Sequence, residues 1–179
     1  MIHESKYWKQ PLLRAATWIS KLTIQDNEAG ERALVRVERE IFVGFYAIRK
    51  LLETFKVSSS TKELKIQLKA FKANPERSAD YFNKTNIDEL FDLDHPSQEQ
   101  RDIGFLCNQI VHSYIFLIAT QECGAIEGFF VASDSMRFKK LYFVEIEQVV
   151  SAFKTVGKDY PSSMKLRRNE ATDQWEAHE

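Results

Sequence analysis

The sequence predicts a mainly α-helical fold: a helical bundle with a small C-terminal β-hairpin and a closing helix. Three observations carry that expectation. Apolar residues recur every three or four positions along several stretches between Trp8 and Leu117, the period that gives a helix one buried face. Gly124 interrupts the pattern, and beyond it β-branched and aromatic residues flank the turn-forming Ser133-Asp134-Ser135, which reads as a hairpin. Helical spacing then returns through Val149, Val150 and Phe153.

Taken in order, Trp8, Leu12, Ala15, Trp18, Ile19 and Leu22 place a helix between Tyr7 and Leu22. Pro11 either sits in its first turn or kinks its start. From about Glu28 to Lys56, Leu34, Val37, Ile41, Phe45, Ile48, Leu52 and Phe55 form one stripe, which Val35, Phe42 and Tyr46 widen. A helix so patterned is expected at the centre of a bundle. Ser60 and Glu63 make a capping box that starts a helix from Thr61 to about Lys72, because each side chain satisfies the other residue's free N–H. Leu64, Leu68 and Phe71 face inward there, while Lys62, Lys65, Lys69 and Lys72 share another side.

Asn74-Pro75 ends that helix, and the stretch to Pro96 reads as irregular, with one short turn over Ile87 to Leu93 begun by Asn86 and Glu89. Ile103, Leu106, Ile110, Tyr114 and Leu117 predict a second long helix from Ser97 to Gln121, stopped by Gly124. Ile126 to Ala132 and Phe138 to Ile146 supply the hairpin, and Glu147 to Val156 the closing helix, capped at Gly157. The hairpin carries consecutive apolar residues, so both of its faces are expected to be covered, by the bundle and by the last helix or a partner. The organisation expected is residues 1–124 as the bundle, 125–160 as hairpin plus helix packed on it in the same domain, and 161–179 as a polar tail that frays.

Composition limits the function. The 179 residues are 44% hydrophobic and 28% charged, with 13 phenylalanines, enough for a self-sufficient core. Lysine and arginine total 25 against 26 acidic residues, so the whole chain has no general attraction for nucleic acid or anionic membrane, and any polyanion contact is local. Cys107 and Cys123 belong to no CxxC pair or His/Cys cluster and are expected to be reduced thiols. Met1 to Gln10 is polar, and the longest apolar runs are broken by Asn108, His112 and Gln121. A cytoplasmic protein without a membrane segment is therefore expected. No catalytic signature, phosphate-binding glycine loop or histidine pair at metal-ligand spacing is present, so neither a metal nor a cofactor is expected.

Of His3, His95, His112 and His178, only His112 lies inside an expected element. Asn108 precedes it by one helical turn, close enough to orient the imidazole, whereas Arg101 would stand about 16 Å away along a helix axis. The stretch Cys107-Asn108-Gln109-Ile110-Val111-His112-Ser113-Tyr114 resembles the signature helix of the HEPN superfamily, in which arginine, a polar residue and then histidine appear as RNxxxH. Phe45 to Glu53 also looks like the long helix that these small bundles place before it. In active members the resemblance implies a metal-independent ribonuclease. Histidine moves a proton as the 2′-hydroxyl attacks the phosphate, and arginine steadies the phosphate charge across a dimer interface. Here Cys107 stands at the arginine position. The carry-over therefore reaches Asn108 and His112 and leaves the phosphate-binding role empty, to be filled by Arg101 of a second copy or by Arg49 of the preceding helix.

Two readings stand beside each candidate. His112 is a half-buried helix histidine with a local acceptor, or a group for proton transfer and nucleotide contact. Lys62, Lys65, Lys69 and Lys72 are an ordinary solvated face, or a strip that binds RNA phosphates with Arg101 and Arg49. The function expected is a HEPN-like RNA- or nucleotide-binding module, catalytically impaired, homodimeric, and of the kind found in defence or toxin–antitoxin systems. The alternatives are a protein-interaction or regulatory subunit with no nucleic-acid role, and a metal-independent ribonuclease using His112.

Overall fold

A computed structural model of the chain describes residues 2–161, 165–169, 171 and 173–178. The first two helices fall where the apolar period puts them, α1 at Lys6–Ile19 and α2 at Glu28–Leu52. Pro11 is accommodated inside α1 on its exposed side. The Asn27 side chain caps α2 by accepting from the Gly30 N–H at 3.0 Å. Glu28 and Glu31 lie at its start and Arg49 and Lys50 at its end, the arrangement that complements a helix dipole.

The chain then departs from a bundle. Ser58 caps a single turn, α3 (Ser59–Lys62), and the next eight residues form a strand, β1 (Lys65–Lys72). Another single turn, α4 (Ile87–Leu90), interrupts the segment that leads to β2 (Ser97–Asp102). Next come α5 (Ile103–Val111), β3 (Ser113–Thr120), β4 (Ile126–Ser133), β5 (Lys140–Glu145) and α6 (Ile146–Lys158). Strands β1 to β5 make one antiparallel sheet in the order β2-β1-β5-β4-β3. Helices and sheet thus share the core, and the expectation of a mainly α-helical bundle is overturned.

The physical cause lies in burial on both faces. In β1, Ile66, Leu68 and Ala70 turn toward the helices while Phe71 joins a second cluster on the opposite face. That second face carries Ile115, Phe130, Ala132, Leu141 and Phe143, and Ala79, Leu90 and Phe91 of the segment after β1 cover it. A strand apolar on both faces loses its alternation, so Leu64, Leu68 and Phe71 imitate helical spacing by coincidence. The same holds for Tyr114 and Leu117, which continue the period of α5 into a strand.

On the helix-bearing face, Phe45, Phe129, Tyr142 and Phe153 form the centre of the core. The hairpin predicted after Gly124 is present as β4 and β5, and α6 follows it. Gly124 serves a different purpose from the one expected: its φ of +80° closes the tight β3–β4 turn, where Gln121 N–H donates to Ala125 O at 2.8 Å. Within the segment expected to be a polar tail, β6 (Lys165–Asn169) pairs antiparallel with β7 (Gln174–His178). Among the described residues no helix is long and apolar enough to cross a membrane.

Candidate functional site

Asp102 accepts from the Phe105 N–H at 2.7 Å and so starts α5. Ile103, Leu106, Cys107 and Ile110 are buried, which leaves Asn108 and His112 on the exposed side. His112 is the residue at which the helix ends. Its N–H donates to Asn108 O at 3.2 Å, and its carbonyl accepts from the Asp134 N–H at 3.0 Å. The imidazole is therefore held at a helix-to-strand junction, anchored by backbone on both sides.

Arg49, in the last turn of α2, reaches this ring. Its Nη1 lies 3.2 Å from His112 Nε2. A guanidinium carries donors only, so Nε2 accepts and the ring proton belongs on Nδ1. The arginine's Nε also stands 3.9 Å from Glu53, which takes a hydrogen bond from Lys50 at 2.9 Å. The Lys50 hydrogen bond holds the Glu53 carboxyl below the usual carboxylate range, so Glu53 stays ionised beside the pair.

Cys107, at the position where the resemblance calls for arginine, is fully buried. Burial pushes its thiol up to about 12 against the pull of the Arg49 charge. An arginine at this position would point into the core rather than at a ligand.

The remaining candidates are dispersed. Strand alternation puts Lys65 and Lys69 on the sheet face away from the helices and Lys72 on the other, while Lys62 belongs to α3. The lysine strip expected on one helix face does not exist. Lys69 pairs with Glu145 at 2.9 Å, and Lys62 stands over the Phe55 ring at 5.6 Å. Arg101 lies in β2 rather than on the helix with His112; it pairs with Glu99 at 2.6 Å and stacks on Phe105 at 5.0 Å. Of the expected phosphate-binding residues, Arg49 alone is joined to His112.

Three groupings escape a reading of the sequence. Glu99 gathers Lys140, Arg101 and Tyr142 across β2 and β5. Burial pushes Glu99 up, but the hydrogen bonds from Lys140 and Arg101 outweigh it and hold the carboxyl below its usual range. Arg137 stacks on Tyr114 at 3.9 Å and Phe138 at 4.4 Å, with Nη1 donating to Ala79 O at 3.0 Å. Lys9, fully buried in α1, donates to the carbonyls of Lys56 and Asp159 and so ties the segment after α2 and the C-terminal cap of α6 to α1. Each depends on at least one partner far away in sequence, which no spacing signals.

Among the described residues no group of three or more His, Cys, Asp or Glu side chains is placed to hold a metal ion. A cavity of about 770 Å³ opens beside Leu13, Trp18 and Leu22 but includes none of the candidate residues. No protein-family model, curated protein or solved structure matches the chain.

Proposed function

We propose that the chain binds RNA or a nucleotide through a phosphate group, with Arg49 as the charged ligand and His112 and Asn108 beside it. The carrying observation is the 3.2 Å contact between the Arg49 guanidinium and the exposed His112 imidazole. It supplies, from a neighbouring helix, the positive charge that Cys107 lacks. Arg49 has further N–H groups to offer a phosphate oxygen in a forked arrangement, and Nε2 of His112 is freed when a phosphate draws the guanidinium away. The two short cation-bearing positions, Arg49 and Lys50, are local, as a chain of net charge −1 requires.

The freed Nε2 also favours a second reading, metal-independent cleavage. A neutral imidazole nitrogen beside a phosphate-holding arginine is the group that accepts a 2′-hydroxyl proton. The bundle expected for the HEPN superfamily forms no part of either reading.

The test incubates the full chain with a mixed single-stranded RNA pool and with mononucleotides in EDTA, beside Arg49→Ala and His112→Ala. Binding about tenfold or more weaker in Arg49→Ala is expected, the loss of one charged hydrogen bond. RNA cleavage that disappears in His112→Ala would establish the enzyme. Absence of both binding and cleavage, or binding untouched by Arg49→Ala, would sink the proposal.

A further inference from the structure

We infer that two copies of this chain pair antiparallel along α2. The starting observation is an apolar stripe on the outer side of that helix which the described residues leave exposed. Val35 is 61% exposed, Val43 57% and Tyr46 45%, although the opposite side of α2 is packed into the core, with Val37, Ile41, Phe45, Ile48 and Leu51 fully buried. Single exposed apolar residues need no explanation, but a row of them on one helix face does.

The charges around the row identify the occupant. Glu28, Arg32, Val35, Arg39, Val43, Tyr46 and Lys50 succeed one another by steps of four and three along one side of α2. The pattern is a palindrome about Arg39. When the helix is reversed on itself, Val35 of one copy meets Val43 of the other, Glu28 meets Lys50, and Arg32 meets the Tyr46 ring. Each of these contacts occurs twice, as an isologous two-fold interface demands. Opposite charges meet at both ends, where Glu28 and Lys50 extend the exposed pairs they make within one chain with Arg32 at 3.0 Å and Glu53 at 2.9 Å, and a guanidinium lies over an aromatic face. A parallel pairing would instead set Glu28 on Glu28 and Lys50 on Lys50.

One like-charge approach remains, at Arg39 on the axis. There each guanidinium brings its own counterion, with Nη2 3.4 Å from Glu40 Oε1. Beside Val43 a groove of about 340 Å³ runs between α1 and α2, lined by Trp8, Pro11, Gly44 and Ala47. It receives the apolar side chain that Val35 of the opposing copy presents.

Sedimentation equilibrium of the full chain tests this, with circular dichroism to verify folding. The wild type is expected to dimerise at concentrations on the order of 0.1 mM or lower. Val35→Glu and Val43→Glu should each weaken the dimer at least tenfold without loss of helicity, since both positions are exposed. Glu28→Lys and Lys50→Glu should each weaken it severalfold, and the double variant should recover the wild-type constant. A monomeric wild type, a dimer indifferent to Val35→Glu, or a double variant no tighter than the single ones would overturn the proposal. RNA binding is not needed for any of these outcomes.

Discussion

At the residue scale, Cys107, Asn108 and His112 show how one short helix and the residue that caps it divide between surface and core. Asn108 and His112 face solvent, whereas Cys107 is sealed among apolar side chains. Placing an arginine at this position by Cys107→Arg is therefore expected to damage the protein. It places an unpaired cation in the core beside the Arg49 charge, and a buried charge without a partner costs about 3–5 kcal/mol. Urea unfolding should show that loss, and RNA binding should not improve. Buried Cys107 should also resist thiol reagents in the native state, while exposed Cys123 reacts. Two native thiols reacting at equal rates would contradict the packing described.

At the element scale, the junction of α2 with α6 depends on Gly44. A Cβ there would enter the ring of Phe153, which is itself fully buried against Phe45 at a centroid distance of 5.3 Å. Glycine to alanine within a helix ordinarily stabilises by about 1 kcal/mol. Gly44→Ala should instead destabilise, by about 1–3 kcal/mol, because an overfilled core must shift; thermal unfolding measures the sign. Edge strand β2 offers a pH test. Glu99 is held below its ordinary value of 4.5 by Lys140 and Arg101 despite the upward push of burial. A carboxylate depressed in the folded state adds stability above its unfolded pKa and loses it as pH falls through the folded one. The advantage of wild type over Glu99→Gln should thus be present at neutral pH and shrink below pH 4.5. An advantage unchanged at acid pH would remove the ionised Glu99 from the account.

At the scale of the whole molecule, 25 basic residues against 26 acidic ones leave no broad positive field, and the lysines of β1 and α3 are scattered over different surfaces. The binding proposed through Arg49 would neutralise about one phosphate. The logarithm of RNA affinity should therefore fall with the logarithm of salt concentration at a slope of about −1. A steep slope would mean that a larger basic surface takes part, and would displace Arg49 as the principal contact.

Local sequence determined α1, α2, the β4–β5 hairpin and α6, because each has a period or a turn signal complete within itself. Asn108 and His112 were legible as neighbours one helical turn apart, and Arg49 as a cation on the preceding helix. The tertiary structure decided the rest. Residues 65–72 become a strand because β2 and β5, distant in sequence, pair with them, and residues 113–120 pair with the neighbouring β4; both segments are covered on both faces, so their apolar residues lose the alternation that marks a strand. The contact of Arg49 with His112 and the burial of Cys107 likewise depend on how α2 packs on α5, a choice set by the whole core and written in no single stretch of sequence.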